Sequence, residues 1–381
     1  MRLLVSGGGT GGHVYPILSV VAALRESSAT PSPATPTPAA DLTTLHIRYL
    51  GTADGVEAEL VARAGLAFTP IHAGQLRIFN PFKLARNSLR MVRGLLEARA
   101  IIRQWQPDVL FVTGGYVCAP VVWAAHRRHL PTLIYLPDLV PGLAVQRLAR
   151  YADRIAVSFP EVADHFPGKD VVVTGYPVRP ELVDARLDSR QARAFFRLQE
   201  DLPVLLVYGG SQGARSLNIA VAQILPELLQ EAQVIHISGH RDWSVAQTRA
   251  DALTPTRRSR YRLFPYLHDE MSLAFRAADL ALTRAGAATL GELPAVGLPA
   301  VLVPLPISGG HQYPNARYLA KRGAAVVLEN DQLSTKLLPT LLDLLHDPDR
   351  LRTMSQASRA LARPDAAQAI ASALLDLARV S

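Results

Sequence analysis

The most constraining feature of this sequence is the glycine-rich stretch Ser6-Gly-Gly-Gly-Thr-Gly-Gly-His13, which directly follows the apolar run Leu3–Val5. A strand that runs through glycines into a helix presents backbone N–H groups, which can bind a phosphate or another polar ligand. Gly7, Gly9 and Gly12 have the spacing G-x-G-x-x-G, but a dinucleotide site also needs an acidic residue about 20 residues further on. A Pro/Thr/Ala tract occupies that place instead. The histidine that ends the stretch either caps or packs against the helix, or takes part in the chemistry of the site.

Length and composition indicate a two-domain α/β protein with an anionic partner. A chain of 381 residues exceeds the roughly 250 to 300 residues at which single cores stop growing. The net charge of +8 favours a nucleic acid, a membrane surface or a phosphorylated substrate. The basic residues are dispersed and lack the aromatic-basic signature of an RNA-binding sheet, which argues against nucleic acid. The single cysteine, Cys118, excludes an intrachain disulfide and fits a reducing compartment.

Neither a secretory signal nor a membrane span is predicted. Met1–Val5 runs straight into glycines, without the apolar core of a signal peptide. The uncharged stretch Val109–Ala125 contains Gly114, Gly115 and Pro120 and is shorter than the roughly 20 residues that a spanning helix needs. We therefore expect a cytoplasmic protein that can still contact a membrane surface.

Apolar strands alternate with helical segments through both halves of the chain. The predicted strands after the first are Leu45–Leu50, Ala67–Ile71, Asp108–Thr113, Thr132–Leu136, Arg154–Val157, Val171–Thr174, Pro203–Tyr208, Val234–Ser238, Tyr261–Phe264, Leu280–Thr283, Ala300–Val303 and Ala325–Val327. This alternation predicts two doubly wound, Rossmann-like α/β domains that face a central cleft. We place the first at 1–177 and the second at 178–364, with 365–381 able to pack back on the first. The proline-rich tract Ser27–Ala40 is expected to form a flexible insertion that ends the first helix.

Leu76–Trp105 is predicted to be an apolar segment with a turn, followed by a cationic amphipathic helix. The basic residues are Lys83, Arg86, Arg90, Arg93, Arg99 and Arg103, against the single acid Glu97. The apolar residues Leu89, Val92, Leu95, Leu96 and Ile102 fall near one face. The helix either packs this face on the sheet and exposes a basic face, or docks on anionic lipid beside Phe79 and Phe82.

Two further glycine junctions follow strands in the second half. Gly209-Gly-Ser-Gln-Gly213 favours a phosphate-binding turn. It also fits the nucleophile elbow of a hydrolase, with Ser211 as nucleophile, but no oxyanion loop precedes it in that domain. In Thr283–Glu292, small residues at a helix start suit a diphosphate. Glu292, one turn in, lies on an exposed side if the turn faces the cleft, and would there suit the two hydroxyls of a ribose. His311-Gln312 end the loop that follows.

No metal or other cofactor is expected. The sequence has neither H-E-x-x-H nor C-x-x-C, and its one D-x-D, Asp347-Pro-Asp349, reads as a turn. The charge of a diphosphate would then be balanced by helix N-termini and by arginines such as Arg179 and Arg284.

Four stretches together resemble the MurG family of bacterial glycosyltransferases. They are Gly8–Pro16, Gly114–Tyr116, Gly209–Ala214 and Arg284–Glu292, in the family's order and spacing. The resemblance extends from Leu3 to the last helix and implies a GT-B fold. It also implies an inverting transfer of N-acetylglucosamine from UDP-GlcNAc to lipid I, a polyprenyl-diphosphate-linked muramoyl pentapeptide. The product would be lipid II for peptidoglycan, and thus for cell shape and division, made by a peripheral enzyme at the cytoplasmic face of the cell membrane.

The resemblance also implies roles for individual residues. His13 matches the candidate general base, and Tyr116 and Asp138 lie on the acceptor side. Residues that match the donor-binding site are Thr10, Gly11, Gly12, Arg179, Ser211, Arg284, Ala287, Ala288, Thr289, Glu292, His311 and Gln312. Tyr266–Met271 resembles the uracil-side segment. Ile78, Phe79 and Phe82 match the membrane patch, so the expected partners are UDP-GlcNAc, the lipid-linked acceptor and an anionic membrane surface, with no nucleic acid.

Tyr135-Leu-Pro-Asp138 departs from the family's pattern, which has a Glu and an amide here. Three alternatives therefore stay open: transfer to another lipid or glycan acceptor, epimerisation of a sugar nucleotide, or binding of a UDP-sugar without transfer.

Overall fold

The computed structural model describes residues 1–29, 45–75, 80–183, 188–210, 214–306 and 310–379. The chain divides into two compact units, one of Met1–Arg179 with Asp365–Ser381 and the other of Pro180–Pro364. The sequence placed the boundary at 177/178. Each unit is a parallel sheet with helices, and each is described by itself below.

The first unit contains a seven-stranded sheet in the order β3-β2-β1-β4-β5-β6-β7. Its strands are β1 (Arg2–Gly7), β2 (His46–Gly51), β3 (Ala67–Pro70), β4 (Val109–Gly114), β5 (Thr132–Leu136), β6 (Arg154–Val157) and β7 (Asp170–Val173). Every neighbouring pair is parallel, and Val5 of β1 lies between Tyr49 of β2 and Phe111 of β4. Each residue of β4 and β5 is buried, as expected of strands that helices cover on both faces.

Helices connect these strands and cover the sheet. They are α1 (Gly11–Ala29), α2 (Val56–Arg63), α3 (Pro81–Trp105), α4 (Cys118–His126) and α5 (Leu143–Ala149), with a 3-10 helix at Pro160–His165. Asn80 caps α3 by accepting a hydrogen bond from the Lys83 amide at 3.1 Å, and Pro81 suits the first helical position.

The first helix is longer than predicted. The sequence assigned Ser27–Ala40 to a helix-breaking tract, yet α1 includes residues 27–29, and the Ser27 hydroxyl donates to the Ala23 carbonyl at 2.9 Å. The first proline of the tract is Pro31, so residues 27–29 all keep the N–H that a helix needs. The rest of the tract lies outside the described residues.

Of the two alternatives for α3, packing of its apolar face on the sheet is not observed, since Ile102 is the one residue of that predicted face that is buried. The buried residues of α3 are Asn87, Gly94, Ala98 and Ile102, whereas Leu89, Val92 and Leu96 are 71%, 55% and 59% exposed. A Cβ on Gly94 would collide with the carbonyl of His72, so the helix approaches the chain after β3 closely only through small residues. The core therefore takes the small-residue face and leaves an apolar face outside.

The second unit contains a six-stranded parallel sheet in the order β10-β9-β8-β11-β12-β13. The strands are β8 (Val204–Tyr208), β9 (Gln233–Ile237), β10 (Tyr261–Phe264), β11 (Leu280–Thr283), β12 (Ala300–Leu302) and β13 (Ala325–Val327). The helices are α6 (Pro180–Val183), α7 (Ser189–Phe195), α8 (Arg215–Glu231), α9 (Trp243–Asp251), α10 (Pro255–Arg258), α11 (Glu270–Ala277), α12 (Thr289–Val296), α13 (Gln312–Lys321), α14 (Leu333–Leu345) and α15 (Pro348–Arg359), with a 3-10 helix at Asn330–Gln332. The core between the sheet, α8 and α14 is built mainly from leucine and valine.

The last helix, α16 (Ala366–Arg379), returns to the first unit. Ile370 and Leu374 are fully buried in the core that α1 forms with the sheet. Arg154 of β6 also donates to the Ala373 carbonyl at 3.4 Å. No helix in the described ranges is long and apolar enough to cross a bilayer.

Candidate active site

The candidate site residues lie where each sheet changes its direction of winding. The first sheet winds outward in both directions from the neighbours β1 and β4, and the second from β8 and β11. Doubly wound sheets bind ligands outside the carboxyl ends of such strands. The described residues there are 8–13 and 114–117 in the first unit, and 209–210, 214 and 284–289 in the second.

The two loops of the first unit contact each other. The Gly8 amide donates to the Gly114 carbonyl at 3.3 Å, and the His13 amide closes the turn by donating to the Thr10 carbonyl at 3.1 Å. A Cβ on Gly114 would lie 3.0 Å from Cε1 of His13, so the glycine after β4 leaves the space that the imidazole fills. His13 therefore lies between the carboxyl ends of β1 and β4.

The backbone of β4 fixes the tautomer of His13. Nδ1 lies 3.0 Å from the Thr113 carbonyl oxygen, which only accepts, so Nδ1 carries the proton and Nε2 keeps its lone pair. The Thr113 hydroxyl donates to the His13 carbonyl at 2.6 Å, which ties the first turn of α1 to the same strand. The ring is thus oriented through one nitrogen and can accept a proton at the other.

Burial lowers the pKa of His13 below its ordinary value of 6.5, and the negative charges of Asp138 and Glu57 and the hydrogen bond to Thr113 oppose this effect only in part. The imidazole is therefore neutral at pH 7. A neutral, oriented imidazole with a free lone pair is the state that a general base requires.

The predicted acceptor-side residues lie at the same edge of the first sheet. The Tyr116 ring faces the glycine turn, with its Cε1 4.0 Å from a Cβ built on Gly9. Asp138 follows β5 and acts electrostatically on His13. The structure thus brings together Tyr116, Asp138 and His13, which are far apart in sequence.

Arg179, the last residue of the first unit, stacks on an aromatic ring of α1. Its guanidinium carbon lies 4.8 Å from the centre of the Tyr15 ring, a cation–π contact. The Cε2 of Tyr15 also lies 3.3 Å from a Cβ built on Gly11. Tyr15, which the sequence did not single out, therefore connects Arg179 to the turn that contains Thr10, Gly11 and Gly12.

In the second unit, the turn after β11 borders open space. A Cβ on Gly286 would meet no atom of the described residues within 4 Å, and the same holds for Gly210 after the neighbouring β8. The Thr289 hydroxyl donates to the Gly286 carbonyl at 2.6 Å and fixes the start of α12. The amides of Thr289 and Leu290 donate to the Gly286 and Ala287 carbonyls at 3.1 Å, so the Ala287 and Ala288 amides, directly before α12, are the ones placed to bind an anion.

Arg284 is buried and connects three loops. Its NH1 donates to the Val303 carbonyl at 3.1 Å and to the Asn330 amide oxygen at 2.9 Å, and its NH2 donates to the Ser216 hydroxyl. These partners follow β12, follow β13 and begin α8. The geometry favours a role in holding the loops of the second sheet in place, in addition to the predicted contact with the diphosphate.

The remaining donor-side residues have mixed surroundings. Glu292 is only 8% exposed, which contradicts the expectation of an exposed side chain, because α12 packs most of its residues inward. The Gln312 amide oxygen accepts from the Leu305 amide at 2.9 Å, and Nδ1 of the half-buried His311 has no hydrogen-bond partner within the described ranges. Ser211, Ile78 and Phe79 lie outside those ranges.

Sequence reasoning also missed Glu57. This acid lies in the first turn of α2 and its carboxylate accepts a hydrogen bond from the Gly9 amide at 3.3 Å. An acid that follows a glycine-rich strand end was the available signal, but nothing local connects it to a turn 48 residues earlier.

In the part of the chain that the structure describes, no group of three or more His, Cys, Asp or Glu residues is arranged to hold a metal ion.

Domain-family models match both halves of the chain. The model of the glycosyltransferase family 28 N-terminal domain matches residues 40–157, and that of the family's C-terminal domain matches residues 204–370. The first match includes β2 to β6, and the second includes the whole sheet of the second unit.

Similar proteins extend over almost the full length. A relative from Roseiflexus sp. (strain RS-1), a UDP-N-acetylglucosamine--N-acetylmuramyl-(pentapeptide) pyrophosphoryl-undecaprenol N-acetylglucosamine transferase, is 41% identical over 97% of this chain and 94% of its own. The crystal structure of Acinetobacter baumannii MurG has a TM-score of 0.71 and 26% identity, covering 98% of this chain and 99% of that one. A UDP-GlcNAc 2-epimerase from Neisseria meningitidis has a TM-score of 0.64 at 12% identity over 99% of this chain and 100% of its own, a likeness of fold alone.

Proposed function

This chain belongs to the MurG family of glycosyltransferases, which have the GT-B fold, and we propose that it transfers N-acetylglucosamine from UDP-GlcNAc to lipid I to form lipid II in peptidoglycan synthesis. The geometric observation that carries the proposal is the hydrogen bond from Nδ1 of His13 to Thr113. It leaves Nε2 as a proton acceptor at the carboxyl end of the first sheet, where an acceptor hydroxyl needs one.

The reaction is a single displacement with inversion. The acceptor hydroxyl oxygen forms a bond to the anomeric carbon of the donor sugar, while the bond from that carbon to the β-phosphate oxygen breaks and its electron pair leaves with UDP. The hydroxyl proton passes to Nε2 of His13. General-base assistance of this kind accelerates reactions by about 10² to 10⁴.

The second unit binds the donor. The diphosphate accepts hydrogen bonds from the Ala287 and Ala288 amides directly before α12, in the turn that Thr289 closes by donating to the Gly286 carbonyl, and the open space beside Gly286 supports this position. The Glu292 carboxylate accepts hydrogen bonds from the ribose hydroxyls. Concentrating fixed donors where charge develops on the leaving group stabilises the transition state more than the ground state.

The first unit also docks on an anionic membrane surface through α3. Phe82 is 86% exposed, and the exposed Leu89, Val92 and Leu96 lie on the same helix as six exposed basic residues. A helix with exposed apolar side chains among basic ones has the chemistry that binds anionic lipid headgroups. Docking at the cytoplasmic face of the membrane gives access to an acceptor that is anchored in the bilayer.

The decisive test is incubation of the protein with radiolabelled UDP-GlcNAc, with and without synthetic lipid I. We expect label in the lipid fraction only when lipid I is present. Epimerised sugar nucleotide in the absence of acceptor would identify an epimerase. Tight UDP binding without transfer to lipid I or to a membrane extract would identify a binding protein, and either result would overturn the proposed function.

A further inference from the structure

Glu57 is a buried carboxylate behind the glycine turn that carries His13. We propose that Glu57 is a positioning residue for the transfer reaction, which holds this turn in place and supports the protonated form of His13 during turnover. The proposal rests on the proposed function and adds a residue that neither the motifs nor the resemblance pointed to.

The carboxylate of Glu57 joins two loops. Oε1 accepts from the Thr52 amide at 3.0 Å and from the Thr52 hydroxyl at 2.6 Å, both at the end of β2. Oε2 accepts from the Gly9 amide at 3.3 Å, in the turn after β1. Glu57 is 1% exposed, so these contacts are shielded from water. The carboxylate therefore connects the glycine turn after β1 to the end of β2.

The surrounding glycines leave the space that this carboxylate needs. A Cβ on Gly8 would lie 2.6 Å from Oε1 of Glu57, and a Cβ on Gly51 would lie 2.8 Å from its Cγ. A Cβ on Gly55 would collide with the carboxylate as well. These three glycines thus leave room for the Glu57 side chain, and not only for a ligand.

The negative charge of Glu57 has no cationic partner within the described residues, where its hydrogen-bond donors are two amides and a hydroxyl. Burying a carboxylate without a cation costs free energy that neutral donors offset only in part. A neutral glutamine could accept the same hydrogen bonds from Thr52. A fixed negative charge that acts on His13 is the property that glutamine would lack.

The charged groups that act on His13 among the described residues are Asp138, after β5, and Glu57, on α2. Both raise the pKa of the imidazole against the opposing effect of burial. When Nε2 takes the acceptor's proton, the ring becomes positive, and a nearby fixed anion stabilises that charge as it develops. Glu57 acts through His13 and through the turn without touching the substrate.

The test compares Glu57→Gln with Glu59→Gln, a matched substitution at an exposed position on the same helix. The pKa of His13 is measured by NMR on protein with ¹⁵N-labelled histidine, with the signal assigned by its loss in His13→Gln. We expect Glu57→Gln to lower the pKa of His13 and Glu59→Gln to leave it unchanged. In the transfer assay, we expect kcat to fall tenfold or more only in Glu57→Gln.

The pH profile separates positioning from mere loss of structure. A base with a lowered pKa stays unprotonated to lower pH, so the acid limb of kcat/KM in Glu57→Gln should move to lower pH. An unmoved His13 titration with full activity would overturn the proposal. So would a loss of kcat that parallels a loss of thermal stability while the limb stays in place.

Glu57→Asp covers the case in which the glutamine variant does not fold. Because aspartate keeps the charge, we expect the His13 titration to stay close to that of the wild type, and a large fall in this variant would contradict the proposal. The NMR titration needs no turnover. A wild-type protein that transfers nothing to lipid I would therefore refute the proposed function, while the effect of Glu57 on the pKa of His13 could still be measured.

Discussion

At the scale of single residues, the proposed chemistry centres on His13, whose Nδ1 is bound to the backbone and whose Nε2 can accept a proton. Thr113 holds Nδ1 through its carbonyl, and burial lowers the pKa of His13 so that the ring is neutral near pH 7. The same side chain on an exposed helix would be partly protonated and free to rotate. Orientation and neutrality together make Nε2 a base.

We predict that His13→Gln lowers kcat by about 10² to 10⁴ and leaves the affinity for UDP unchanged, because the nucleotide contacts that we propose lie in the second unit. His46→Gln, at an exposed position at the start of β2, is the control. Steady-state transfer assays and calorimetry with UDP give the two quantities. Near wild-type turnover in His13→Gln would remove this residue from the role of base.

The pH dependence of the wild type follows from the direction of the same shift. Since the folded-state pKa of His13 is lowered from 6.5, the acid limb of kcat/KM should lie below pH 6.5. This limb should be absent in His13→Gln. A limb at or above the ordinary pKa of histidine would contradict the burial of the ring.

At the scale of elements, α3 is the helix that the local pattern described least well. Gly94 and Ala98 allow the helix to approach the chain after β3, and the larger Leu89, Val92 and Leu96 remain outside. Asn87 strengthens the buried face by donating to the Gln75 carbonyl at 2.7 Å. Close packing and a satisfied polar group thus outweigh the larger area that leucines would have buried.

We predict that Leu89→Ser weakens binding to vesicles that contain anionic lipid, while the protein keeps its fold because Leu89 is 71% exposed. Val245→Ser, at a 61% exposed position in the second unit, is the matched control. Arg90→Gln should weaken the same binding by about 1 kcal/mol, with a smaller effect at high salt. Co-sedimentation with vesicles gives the affinities, and equal binding by all variants would exclude α3 from the membrane contact.

At the scale of the whole molecule, each unit has its own core, and the last helix belongs to the first core although it follows the second in sequence. Leu374 of α16 is fully buried there with Ile370. The first unit is therefore incomplete until the end of the chain has been made.

We predict that Leu374→Ala destabilises the first unit by about 2 to 5 kcal/mol, because the substitution leaves a cavity in a packed core. Leu143→Ala, at a 56% exposed position on α5, should change stability by less than about 0.5 kcal/mol. Urea unfolding followed by hydrogen exchange in each unit measures both effects. A loss confined to the second unit would contradict the packing of α16.

The strand–turn–helix junctions and the α/β class could be read from the sequence. Tyr261–Phe264, Leu280–Thr283 and Ala325–Val327 have the bounds that were predicted. Short apolar runs that alternate with helical segments have a parallel strand covered by helices as their favourable structure. The sequence did not predict which face of α3 packs against the rest of the first unit. Periodicity identifies the apolar and polar faces of a helix, but it does not tell which face is buried.

Local sequence therefore determined where the turns lie and which residue types stand in them, since backbone conformation depends on near neighbours. The tertiary structure decided what those residues can do. Thr113, which sets the tautomer of His13, is 100 residues away along the chain, and Glu57 is 48 residues from Gly9. Hydrogen bonds, burial and electrostatic interactions depend on distances in space. The protonation state of His13 is therefore set only by the fold, in which β1, β2 and β4 lie side by side.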